Sequence, residues 1–266
     1  MRESRSKSLN FLPCALHSQD VSKFEVQFPE ANEILVEPFD ARIHTLPALV
    51  FTQSELRRIQ PFLFVLTNRS NKAISAVTVL WSDTLPSGKS GKGSTSVDRF
   101  SQGINQPYLV PGAQTLIGPG ILHLLSDNQP RSGRVDLARI ENANKITLSL
   151  DIVVFDDGLV IGPDSAGMVA SVENRKDAIR TVLNEVRSTV AQGGGLNGVL
   201  ERLSVPPPRA WPTLPPGHTF GVVGKDETLP GWVSRIARQL TMMLRSSDLP
   251  TAMARLETPT PPFYRK

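Results

Sequence analysis

The segment Ile146-Thr-Leu-Ser-Leu-Asp-Ile152 alternates apolar and polar residues at every step. Successive side chains of an extended chain point to opposite faces. Ile146, Leu148, Leu150 and Ile152 are therefore expected on a buried face, with Thr147, Ser149 and Asp151 outward. The chain upstream keeps this character. Ile59-Gln-Pro-Phe-Leu-Phe-Val-Leu-Thr67 is a short apolar run rich in strand formers, and the polar Asn68-Arg-Ser-Asn-Lys72 follows it. Ile74-Ser-Ala-Val-Thr-Val-Leu-Trp81 then places Val77, Val79 and Trp81 on one face. Two such runs joined by polar residues predict a hairpin or a turn between sheets. Tyr108–Gly112 and Thr115–Gly120 read as strands punctuated by Pro-Gly and Gly-Pro turns. Asp157-Gly158 is a hairpin signal between Phe155 and Leu159. The Gly- and Ser-rich stretch from Ser82 to Gln106 is expected to be a mobile loop. Short strands with frequent turns and no helical period between them predict an antiparallel β-sandwich over residues 24–163.

Past Asp164 the period changes. Ile179, Val182, Leu183, Val186 and Val190 recur at helical spacing, and Gly193-Gly-Gly195 stops the helix. Asp164 or Ser165 is placed to cap its start. A second helix is expected over 196–203 and a last one over about 230–245, the latter with Trp232, Val233, Ile236, Leu240 and Met243 on one face. The expected organisation is a disordered arm (1–23), the sandwich (24–163), a helical segment (164–204), a Pro-rich linker (205–228) and a C-terminal helix and tail (229–266). The whole is mostly β with two or three helices appended. The apolar faces of 179–190 and 229–244 need cover, from the sandwich, from each other, or from another protein or a second copy of the chain.

Composition narrows the functional classes. The chain has 266 residues, 29 Lys+Arg against 25 Asp+Glu, and 22 prolines. One cysteine, Cys14, excludes an intrachain disulfide framework. No apolar stretch is long enough to span a membrane as a helix. The net charge of +4 divides into +2 over residues 1–23, −2 over 24–163 and +4 over 164–266. The β-region is slightly acidic, which argues against nucleic acid as a partner. The N-terminus lacks an export signal as written, so a cytoplasmic protein is expected, or an extracytoplasmic one if translation starts further upstream.

Motifs that suggest chemistry fail on spacing or context. Gly193-Gly-Gly-Leu-Asn-Gly198 follows a helix, whereas a dinucleotide fingerprint follows a strand. Gly88-Lys-Ser-Gly-Lys-Gly-Ser94 lacks the glycine spacing of a phosphate loop. No histidine pair has metal-ligand spacing, and His123 within Ile121-Leu-His-Leu-Leu125 is expected to be a buried core imidazole. No cofactor is implied. Asp151, Asp156, Asp157 and Asp164 form an acidic concentration whose spacing does not match a Ca²⁺ loop and which could supply paired acids for glycoside hydrolysis, or simply turn residues. Arg209-Ala-Trp-Pro-Thr-Leu-Pro215 has the form of a polyproline ligand, with Arg209, Trp211, Pro212 and Pro215 as its contact residues.

Leu66-Thr-Asn-Arg-Ser-Asn-Lys-Ala-Ile74, taken with Val154-Phe-Asp-Asp-Gly158 and Gly162-Pro-Asp164, resembles uncharacterised bacterial proteins with an immunoglobulin-like sandwich. The likeness covers about residues 59–164. It implies the fold and no assigned activity, and such proteins resemble exported ones. With every catalytic motif failing, the expected function is a non-enzymatic interaction or structural module. The alternative is a hydrolase of carbohydrate or another polar substrate, working from the Asp151–Asp164 region.

Overall fold

A computed structural model describes residues 23–41, 52–102, 106–124, 137–207, 228–257 and 261–265. The arm and the polyproline motif, with Arg209, Trp211, Pro212 and Pro215, lie outside the described residues.

Two sheets build the β-region. The larger contains β1 (Phe24–Gln27), β4 (Ile74–Thr84), β5 (Ser90–Asp98), β8 (Lys145–Phe155), β9 (Leu159–Ile161) and β10 (Tyr264–Arg265), in the order β10-β9-β8-β4-β5, with β1 also on β8. The smaller runs β2 (Ile34–Pro38), β3 (Phe64–Asn68), β6 (Gln114–Gly118) and β7 (Ile121–Leu124), all antiparallel. Both contribute to one core, in which Leu66 and Ile117 of the smaller sheet meet Val77, Val79, Leu148 and Leu150 of the larger. Trp81 packs against the same cluster, as the spacing of Val77, Val79 and Trp81 predicts. The 68–72 turn passes from the smaller sheet to the larger. Asn68 organises it, donating to the Lys72 carbonyl and accepting from the Ser70 N–H.

Four expectations about the β-region need correction. The sheet is not purely antiparallel, because β1–β8 and β9–β10 pair parallel. Helices do interrupt the strands, namely α1 (Gln53–Ile59), α2 (Arg99–Gln102) and α3 (Leu137–Asn142). The start of α1 carries a capping box in which Thr52 and Glu55 satisfy each other's backbone N–H groups. The described part of the expected loop at 82–106 is instead the end of β4, a turn, β5 and α2. Gly88 supplies the turn at a φ of 75°, and Gly91 and Gly93 serve close packing. A Cβ at Gly93 would lie 2.5 Å from the Trp81 ring, and one at Gly91 2.0 Å from the Arg139 guanidinium. Asp83 holds that corner, accepting from Gly91 N–H and pairing with Arg139.

The fourth correction concerns the strand that decided the fold. In the β4–β8 ladder Thr78 faces Ile152 and Val79 faces Leu150, so Asp151 is an extra residue, a β-bulge. The bulge reverses the alternation. Leu148 and Leu150 face the inter-sheet core, whereas Ile152 and Val154 turn to the opposite face, under Met168 and Val172. Asp151 is not outward but 1% exposed.

Among the described residues four helices follow Asp164, against the two or three expected: α4 (Met168–Ala191), α5 (Leu196–Leu203), α6 (Leu229–Met243) and α7 (Leu249–Leu256). Met168 and Val172 of α4 lie on the larger sheet, while Ala178, Ile179, Val182, Leu183 and Val186 enter a second core. There they meet Val199 and Leu200 of α5, Trp232, Ile236 and Leu240 of α6, and Ala252 and Leu256 of α7. The two apolar faces offered above to a partner or second copy are therefore buried largely against each other. The α4 helix closes at Gly193, whose φ of 73° needs a glycine, with Gly193 and Gly194 N–H groups bonding back to Val190 and Thr189 carbonyls.

Candidate functional site

The four aspartates of the acidic concentration separate into different roles. Asp151, extruded by the bulge, clamps the loop between β9 and α4. Its carbonyl accepts from Asp164 N–H at 3.0 Å, and its two carboxylate oxygens accept from Ser165 and Ala166 N–H at 2.7 and 2.9 Å. Three successive backbone donors thus converge on one residue. Gly162 makes the approach possible, since a Cβ there would sit 2.3 Å from the Asp151 carbonyl oxygen. Asp164 then adopts φ 58°, a left-handed conformation that aspartate tolerates better than most residues. From there its carboxylate accepts from Met168 and Val169 N–H at 2.7 and 3.1 Å. The expected capping by Asp164 is present, delivered from outside the helix because the N-cap position itself is Gly167. Burial pushes the Asp164 carboxyl above its ordinary value, aided by the nearby Asp151 charge and opposed by the two helix N–H groups.

Asp157 belongs to a different cluster. It pairs with Lys72, accepts from Tyr264 Oη at 2.5 Å and accepts from Leu159 N–H at 3.1 Å. Burial pushes its carboxyl up, but the bonds from Lys72, Tyr264 and Leu159 N–H, with the Lys72 charge, outweigh this and hold it at about 2. Lys72 is raised in turn by its bonds to Asp157 and Tyr264. Asp156 is exposed on the turn. Asp157-Gly158 does make the hairpin turn between β8 and β9, with Gly158 at φ 93°.

These carboxylates are committed to backbone donors or to an ammonium and a phenol. Charge-assisted bonds of this kind hold position strongly. The residues missed by the sequence reading are Lys72, Tyr264 and Arg265, which join the β8–β9 turn to the end of the chain. Their bonds to Asp157 and Gly162 span 85 to 107 positions, and Lys72 and Tyr264 meet across 192. No local spacing reports such a contact.

Elsewhere, His123 is buried, as expected for a core imidazole, and its carbonyl accepts from Thr115 Oγ1, which also meets Tyr108 Oη at 2.6 Å. Among the described residues no group of three His, Cys, Asp or Glu side chains could hold a metal ion, and no helix is long and apolar enough to cross a membrane. A cleft of about 400 Å³ lies at α5 and α6, its lining including Arg202, Leu203, Val205, Pro207, Pro230 and Val233. A smaller polar cleft of about 240 Å³ is lined by Asn32, Glu33, Arg69 and the 70–72 turn.

Comparison with protein-family models, with curated proteins and with solved structures gives no match.

Proposed function

We propose that the chain is a non-enzymatic interaction or structural module, with an immunoglobulin-like two-sheet body, a helical layer, and a Pro-rich segment that binds a partner. The observation that carries this reading is the commitment of Asp151, Asp157 and Asp164 to holding one element on another. The alternative, hydrolysis from the same carboxylates, needs an acid and a base with open faces. The arrangement favours positioning over proton transfer. The partner surface we assign is the Arg209–Pro215 motif, whose Arg-x-x-Pro-x-x-Pro form suits an aromatic-lined polyproline groove. In ligands of this form a preset extended backbone lowers the entropy lost on docking. In sequence the motif stands between α5 (Leu196–Leu203) and α6 (Leu229–Met243), both of which contribute to the second core, so it is tethered at both ends.

The test is titration of the full chain into a panel of polyproline-binding modules, beside an Arg209→Ala, Pro212→Ala, Pro215→Ala variant. Saturable binding by the wild type, lost in the variant with the unfolding midpoint unchanged, supports the reading. Equal binding by both, or none by either, removes the motif from it. Turnover of a glycoside panel that disappears in Asp156→Asn or Asp157→Asn would replace the reading with the hydrolase.

A further inference from the structure

The last described residues, 261–265, leave the helical layer and return to the larger sheet, where they are held as a bound peptide is held. Tyr264 and Arg265 pair parallel with Leu159 and Val160, and Tyr264 N–H donates to the Gly158 carbonyl at 2.9 Å. Each side chain has its own receptor. Phe263 enters the apolar cluster of Ile152, Val154, Val160, Met168 and Val172, edge-on to Phe100 at 5.7 Å. Lys176 Nζ sits 4.7 Å from the Phe263 ring centroid and donates to the Pro261 carbonyl at 3.2 Å. The Tyr264 hydroxyl donates to Asp157 at 2.5 Å and accepts from Lys72 at 3.3 Å. The Arg265 guanidinium donates to the Gly162 and Pro163 carbonyls at 2.6 and 3.3 Å. Gly158 is shaped to this segment as well as to its turn. A Cβ there would fall 2.0 Å from the Pro262 carbonyl oxygen.

These bonds and ring contacts run to residues 72–176, and none runs to α7, which precedes the segment in the chain. The sheet therefore offers an edge, an aromatic slot, a carboxylate–ammonium pair and two outward carbonyls. That is the composition of a strand-addition site, where backbone pairing supplies affinity and side-chain slots supply specificity. We infer that the β9 edge is a peptide-docking site for an extended Pro-Pro-aromatic-Tyr-Arg segment of a partner protein, closed in this chain by its own C-terminal residues. The occupant is read from the segment already seated there. The cis copy is favoured by its tether, since only residues 257–260 separate α7 from Pro261, and a short tether gives an effective concentration in the millimolar range. A partner segment therefore gains access when the tail is withdrawn or outcompeted. This goes beyond the polyproline reading and shares none of its residues, so either can fail alone.

The experiment uses the full chain with its tail emptied, Phe263→Ser, Tyr264→Ser and Arg265→Ser together, and a fluorescent peptide of residues 258–266. Anisotropy is expected to show saturable binding to the emptied chain, at least tenfold weaker binding to wild type, and at least fivefold weakening when Asp157→Asn is added. A scrambled peptide is the control. A folded emptied chain that does not bind, or that binds the scrambled peptide equally, overturns the inference. If the triple variant does not fold, Phe263→Ala alone carries the same comparison, with the same two outcomes. Light scattering of wild type that shows concentration-dependent dimers, dispersed by excess peptide, would make the occupant a second copy and overturn the assignment to a partner.

Discussion

Asp157→Asn is expected to make the unfolding free energy less dependent on acid, and the structure sets the size and direction of the change. The Asp157 carboxyl titrates at about 2 in the folded chain against an ordinary 3.8. A difference of that size corresponds to about 2.4 kcal/mol. The Asp157 side chain is 33% exposed, so solvent screens the cluster and about 1 kcal/mol is the expected share. A carboxyl depressed by folding stabilises the native state above its unfolded value and loses that contribution as pH falls through its folded value. Urea unfolding of wild type and variant should therefore differ by about 1 kcal/mol at pH 7 and at pH 5. The gap should narrow between about pH 4 and pH 2, and close below. A gap that is constant across this range, or that widens in acid, would refute the assignment of Asp157 to an ionised structural cluster with Lys72 and Tyr264.

Other substitutions probe the rest of the frame. Gly162→Ala places a Cβ against the Asp151 carbonyl at a φ of 102°. It should cost more than about 2 kcal/mol in denaturant titration, because backbone has to move. Leu240→Ala empties a fully buried position in the helical core and should cost about 2–5 kcal/mol, whereas a loss under about 1 kcal/mol would mean that α6 is not packed there. Arg175 is buried on α4, with its pKa lowered by burial against the attraction of Asp98, and its Nε makes no hydrogen bond. Burying a charged group with a hydrogen bond unmade costs stability, and an apolar side chain of similar volume removes that cost. Arg175→Met should accordingly leave the unfolding midpoint level or raise it, and a drop of more than about 1 kcal/mol would show that the guanidinium is needed.

Much of the β-region was legible because its signals are local. The spacing of Val77, Val79 and Trp81, the polar 68–72 turn and the Asp157-Gly158 hairpin each depend on neighbours within a few positions. Helix α5 ends where the periodicity places it, at Leu196 and Leu203. The failures share a cause. Ile146–Ile152 keeps a perfect two-residue period in sequence, yet the bulge at Asp151 turns Ile152 to the other face. The bulge is tied to the 164–166 backbone that Asp151 collects, which no alternation pattern reports. Residues 82–98 resemble a loop because glycine and serine are also the residues that fit beneath Trp81 and beside Arg139. The acidic concentration was visible, but its division into a loop clamp and a tail receptor depends on Lys72 and Tyr264, brought together by sheet topology.

The central claim, that these carboxylates serve the fold and its contacts rather than a reaction, is tested most directly by the stability of Asp151→Asn. Asp151 is 1% exposed and collects Ser165 and Ala166 N–H on its two oxygens. The amide substitution turns one oxygen into a donor that faces another donor and removes the charge from the remaining bond. The account predicts a loss of about 2–3 kcal/mol in unfolding free energy at pH 7. A carboxylate held for catalysis is commonly a cost to the fold, and its neutral replacement leaves stability level or improves it. An Asp151→Asn protein as stable as wild type, or more stable, would contradict the claim.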